Sequence, residues 1–125
     1  MKEIISTEKG PRALGPYSQA VKANGFIFTA GQGPIDPGTG KPVEGDIAAQ
    51  TARVMENLKT IVEAAGSSLD RAVKATVYLK DMQDFAAMNQ VYGRYFPGNP
   101  PARTTIQAAR LPLDIGVEID LIALV

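Results

Sequence analysis

Between Asp46 and Lys80 the apolar residues change their spacing, and that change restricts the chain to folds that join a helix to a sheet. Ile47, Thr51, Val54, Leu58, Ile61, Val62 and Ala65 recur at helical intervals, so they share one stripe of a helix. Asp46 has the short acceptor side chain of an N-cap, and Gly66 can take the left-handed conformation that ends a helix. The opposite side carries Arg53, Glu56, Lys59 and Glu63, a solvated face. Val73, Ala75, Val77 and Leu79 then alternate with Lys74, Thr76, Tyr78 and Lys80, the period of a half-buried strand.

The same reading extends in both directions. Phe26–Ala30, aromatic and β-branched, reads as a strand running into a loop at Gly31, and Ile35-Asp36-Pro37-Gly38-Thr39-Gly40 as a turn. Asp81 is expected to cap a second helix that carries Phe85, Met88, Tyr92 and Tyr95 on one side and stops before Pro97. Arg103–Ala109 and Val117–Val125 finish as strands. From Phe26 the order is β-α-β-α-β-β, which predicts one α/β or α+β domain over residues 1–125. Both helices pack on one sheet face, with right-handed crossovers between parallel strands. The other face is left bare, and if it is apolar, association of copies would cover it.

The residue inventory narrows the chemistry. The 125 residues include no histidine and no cysteine, which removes disulfides, thiolate nucleophiles, the usual Cys/His zinc sites and the commonest proton shuttle. Acid–base work falls to carboxylates, tyrosine, lysine or water. Thirteen basic residues balance thirteen acidic ones, so no global field draws in nucleic acid or anionic lipid. The N-terminal stretch has no apolar run long enough for a signal peptide or membrane span, so a cytoplasmic location is expected.

Two glycine motifs fail as nucleotide sites. In Gly38-Thr39-Gly40-Lys41 the first glycine of a phosphate loop is replaced by Ile35, and Pro42 stands where a hydroxyl should ligate magnesium. Gly31-Gln32-Gly33 lacks the third glycine of a dinucleotide fingerprint and reads as a turn, although its glycines would let a ligand approach the backbone.

Arg103 and Glu118 are stronger candidates. Pro100 and Pro101 end what precedes them and deliver Arg103 to the mouth of a strand. A guanidinium there offers a fixed fork of donors that grips a carboxylate through two parallel bonds. Glu118 interrupts an apolar strand in which Val117, Ile119 and Leu121 should face one way and Glu118, Asp120, Ile122 and Leu124 the other. A carboxylate there is costly without a partner or a task. Tyr17 follows the rigid Gly15-Pro16 turn, where a docked core tyrosine is the plain alternative.

The order and spacing of several stretches resemble the RidA/YjgF family of reactive-intermediate deaminases, also labelled L-PSP endoribonucleases or translation inhibitors. They are Ala13-Leu14-Gly15-Pro16-Tyr17-Ser18-Gln19-Ala20, Thr29-Ala30-Gly31-Gln32, Val62-Glu63-Ala64-Ala65-Gly66, Val77-Tyr78-Leu79-Lys80-Asp81, Asp84-Phe85-Ala86-Ala87-Met88-Asn89, Pro101-Ala102-Arg103 and Ala109-Arg110-Leu111-Pro112. The resemblance implies a chorismate-mutase-like α+β fold, a homotrimer with a central barrel, and three clefts between subunits. It also implies hydrolysis of 2-imino acids or their enamine tautomers to 2-keto acids and ammonia, without a cofactor. The family's arginine, tyrosine and acid match Arg103, Tyr17 and Glu118, while Asn89, Gly31 and Thr105 match further cleft positions. Thr105 stands where the family often has cysteine and Ala30 where it often has serine, so oxidation-dependent switching through that cysteine is lost.

Two other readings share these residues: a module that binds a carboxylate metabolite without turnover, in which Glu118 is dispensable, and an endoribonuclease. The second lacks histidine, a basic surface and, with four tyrosines, four phenylalanines and no tryptophan, a rich stacking platform. A geometric expectation also follows. A plain hairpin of the last two strands closing around Leu113 would put Glu118 opposite Ala108, roughly 16–17 Å from Arg103. Either another strand order brings the two together or they come from different subunits.

Overall fold

Asp46 caps as its position predicts: its carboxylate accepts the Ala49 amide at 3.0 Å and starts helix α1 (Ile47–Ala64). The helix ends where Gly66 adopts φ +87°. In the computed structural model, which describes residues 1–125, the strands are β1 (Glu3–Ile5), β2 (Ala20–Ala23), β3 (Phe26–Thr29), β4 (Ala72–Leu79), β5 (Ala102–Gln107) and β6 (Val117–Leu124), with α2 at Phe85–Arg94. They make a six-stranded mixed sheet in the order β1-β2-β3-β6-β4-β5. The fold is α+β.

The expected elements from Phe26 onward are present, with three differences. Strands β1 and β2 precede them. Asp81 caps a short 3-10 turn, accepting the Gln83 amide at 2.9 Å, and α2 itself begins later, at Phe85. Gly31-Gln32-Gly33 is not a turn, because Gln32 pairs with Ile119 through bonds of 2.8 and 3.1 Å. The register of β3 on β6 shifts by one residue before that bridge, and Thr29 Oγ1 accepts the displaced Leu121 amide at 2.9 Å.

Helices α1 and α2 cover the same sheet face. Val54, Met55, Leu58 and Val62 of α1 and Met88 and Tyr92 of α2 form one core with Ala75, Val77 and Leu79 of β4 and Val117, Ile119 and Leu121 of β6. Each large apolar side chain buried there contributes roughly 1.5–3 kcal/mol. A one-residue slip of β6 would turn Glu118 and Asp120 inward instead, so the register is strongly specified.

The last strand does not form a hairpin with β5. It inserts between β3 and β4, antiparallel to both, while β5 pairs with β4 in parallel and leaves its other edge free. The face away from the helices carries Ile4, Val21, Phe28, Ile122 and Lys74 in one cross-strand row. Ile4 is 53% and Phe28 43% exposed, so the apolar part of this row is uncovered in the single chain. No helix is long and apolar enough to cross a membrane.

Candidate active site

Arg103 is the second residue of β5 and points to the helix side, in register with Ala75. Its guanidinium carbon lies 4.7 Å from the centre of the Tyr92 ring and 5.5 Å from that of Phe85. Both rings come from α2, seven residues apart and therefore on one helix face. They hold the guanidinium by cation–π attraction. The one salt bridge in the chain is elsewhere, between Lys80 and Asp114 at 3.0 Å, and the polar neighbour of Arg103 in its own chain is the Tyr92 hydroxyl. With no carboxylate of the chain beside it, the donor fork suits an external one.

The polar atoms near this arginine are also unsatisfied. Thr105 Oγ1, Asn89 Oδ1 and the Tyr92 hydroxyl are buried without a hydrogen-bond partner in the protein. Thr105 follows Arg103 by two along β5, hence on the same face. Asn89 lies between Phe85 and Tyr92 on α2. Such groups cost free energy unless something else bonds them.

Glu118 occupies the opposite sheet face, beside Tyr78 in register and next to Asp120 along the ladder. Burial pushes the Glu118 carboxyl above its ordinary range, and the Asp120 charge pushes it the same way. Asp120 is itself raised by burial, partly offset by Thr76 and Lys74. The Tyr78 phenol is raised by burial and by both carboxylates. Gly31 makes room for this group: a Cβ there would run into Glu118 Oε2. A Gly31→Ala variant should therefore fold but displace the carboxylate. Misplacement of about 1 Å costs on the order of 100-fold in rate, and the check is kcat/KM together with an unchanged melting temperature.

Tyr17 does not dock on the core. It is 51% exposed, and its hydroxyl accepts the Leu14 amide at 3.1 Å. It shares a crevice with Gly31 and Gln32. Buried Gln19 ties down the preceding arm, donating to Pro11 O at 2.7 Å and Thr7 O at 3.0 Å. Buried Asn57 of α1 does the same for the segment after Gly31, donating to Ile35 O at 2.9 Å and Gly33 O at 3.3 Å.

The six residues singled out in the sequence thus fall into two groups. Arg103, Thr105 and Asn89 gather on the helix side near the free edge, while Glu118, Gly31 and Tyr17 form the other. Phe85, Tyr92, Tyr78, Asn57 and Gln19 were missed as site residues. The aromatics read as core or strand by period, and a buried amide gives no periodic signal at all.

The sequence profile of the endoribonuclease L-PSP family matches residues 7–125. The chain is 58% identical over 123 residues to a RutC family protein of Pyrococcus horikoshii, spanning 98% of each. The chain belongs to the RidA/YjgF family. Within that family it is 47% identical over 122 residues to the chloroplastic Reactive Intermediate Deaminase A of Arabidopsis thaliana, covering 98% of this chain and 65% of the plant protein. The structure of E. coli TdcF with bound serine superposes with a TM-score of 0.93 at 40% identity, covering 98% of both chains. Family membership and the fold agree with the sequence reading, and the matched region contains every residue of the two groups.

Proposed function

We propose that this protein hydrolyses reactive 2-imino acids and their enamine tautomers to 2-keto acids and ammonia, in clefts built between the copies of a homotrimer. The observation that carries the reading is the unpaired Arg103 guanidinium, held between Phe85 and Tyr92 beside buried polar atoms that lack partners. That is a preorganised receptor for a small carboxylate. A relative named as a reactive-intermediate deaminase and a relative with an amino acid bound support the same substrate class.

Arg103 clamps the substrate carboxylate and fixes the position of the adjacent C=N carbon. The imine carbon is already electrophilic, so attack by water requires no covalent nucleophile. Glu118 orients that water, takes its proton as oxygen bonds to carbon and returns it to the nitrogen, giving a carbinolamine. Ammonia leaves as the C–N bond breaks, nitrogen gains the hydroxyl proton and the C=O bond forms. A carboxyl raised by burial is a better base for this step than an ordinary one. Tyr17 covers the cleft, and Thr105, Asn89 and the backbone at Gly31 hold the ligand. The open apolar face supports association, and Arg103 and Glu118, on opposite faces of one sheet, meet a single ligand only if they come from different copies.

The test is a coupled assay in which an amino-acid oxidase generates 2-iminopropanoate or 2-iminobutanoate. Keto-acid release should accelerate when the protein is added, and an unchanged rate would refute the catalytic reading.

Glu118→Gln separates hydrolysis from mere carboxylate binding. The amide still orients water but cannot accept its proton, so turnover should fall roughly 100-fold or more while affinity for a keto acid is retained. Wild-type kcat should rise with pH through a pKa above the ordinary carboxylate value of 4.5, because only the ionised form is a base. The variant should lose that limb. An unchanged pH profile would assign the proton transfer to another group.

A further inference from the structure

We infer that Tyr92 is a ligand-binding residue, whose hydroxyl donates to the carboxylate held by Arg103; the inference rests on the carboxylate reading of the site. By its spacing Tyr92 is a core residue of α2, and its ring behaves as one: the residue is 5% exposed and packs against Phe96 with ring centres 4.8 Å apart. The other face of a purely structural tyrosine would be satisfied by a protein acceptor. This hydroxyl has none. Burial raises the phenol's pKa, and the Arg103 guanidinium beside it acts in the opposite direction. That places the hydroxyl within reach of the guanidinium, from which the phenol oxygen can accept, while its own proton finds no protein acceptor.

An anion beside both groups gives that proton an acceptor. A carboxylate has lone pairs enough to accept two bonds from the guanidinium and a third from the phenol. Tyr95, three residues further on, provides the contrast: its hydroxyl donates to Glu56 at 2.8 Å, and with burial this raises its pKa to about 12. That tyrosine has an internal partner and serves the fold, whereas Tyr92 keeps its donor for a ligand.

Tyr92→Phe keeps the ring against Arg103 and Phe96 and deletes only the hydroxyl. Titrating wild type and variant with 2-ketobutyrate by calorimetry should show affinity roughly 10- to 100-fold weaker in the variant, the usual effect of one hydrogen bond to a charged group. Without ligand, the variant's melting temperature should be unchanged or higher, because an unsatisfied buried group has been removed. With imino acid as substrate, KM should rise more than kcat falls, since the carboxylate is bound alike in ground and transition states. Equal affinities would overturn the inference, as would a melting temperature several degrees lower, which would give the hydroxyl an internal partner. If wild type turns over substrate and Tyr92→Phe matches it, only this inference fails. If wild type neither binds the keto acid nor hydrolyses the imine, the proposed function fails.

Discussion

Arg103→Ala is expected to lower kcat/KM for a 2-imino acid by about 30-fold to several thousand-fold, corresponding to roughly 2–5 kcal/mol for removing one partner of a desolvated, hydrogen-bonded charge pair. The protein should remain folded. Arg103 has no ion-pair partner in its own chain, so its loss strands no internal charge. What the fold gives up is the contact with Phe85 and Tyr92, worth roughly 0.5–2 kcal/mol. Lysine should not rescue activity, because an ammonium has neither the planar fork nor the flat face that fits between two rings. Steady-state kinetics and thermal melts of the wild type, Arg103→Ala and Arg103→Lys proteins check this. Wild-type activity in the lysine variant would mean that no bidentate clamp operates.

Mixing two inactive proteins is expected to restore activity. In one chain Arg103 is aligned with Ala75, Ala75 with Leu121, and Tyr78 with Glu118. Glu118 is therefore two strands across and three positions along from Arg103, about 14 Å between backbones, and on the other side of the sheet. No rotamer change brings both side chains to one imino acid. In the proposed homotrimer, Arg103→Ala and Glu118→Ala chains exchanged at equal concentration should regain about one quarter of wild-type clefts, because each mixed ring has one junction that joins the two intact residues. The measurement is imine hydrolysis before and after exchange, with mixed assembly verified by mass. Verified mixed trimers that stay inactive would place both functions in one chain.

Most of the local structure was legible. The stripe from Ile47 to Ala65 and the alternation from Val73 to Lys80 each span enough residues for their periods to be distinct, and Asp46 marks the helix start by its own chemistry. An irregularity between Ala72 and Lys74 nevertheless leaves Val73 exposed and buries Ala72 instead. The alternation in β6 also placed Glu118 and Asp120 away from the core. Strands β1 and β2 were not legible, because three or four residues are too few to establish a period. Arg103 could be singled out as a candidate carboxylate ligand from its guanidinium and its position after two prolines, whereas the Tyr92 hydroxyl could not. A tyrosine at a core position has the same pattern whether its oxygen is bonded or not.

By itself, then, the sequence determined the helices and strands from Phe26 onward, the apolar face of the longer ones, and which ionisable groups are available for chemistry. Only the tertiary structure decided that β6 enters between β3 and β4, and with it that Arg103 and Glu118 stand on opposite sides of the sheet. Period and capping depend on residues within a turn or two of one another, so they are written in short stretches of sequence. Strand order depends on which edges pair after the apolar faces have packed against α1 and α2, a choice made by contacts between residues far apart in the chain.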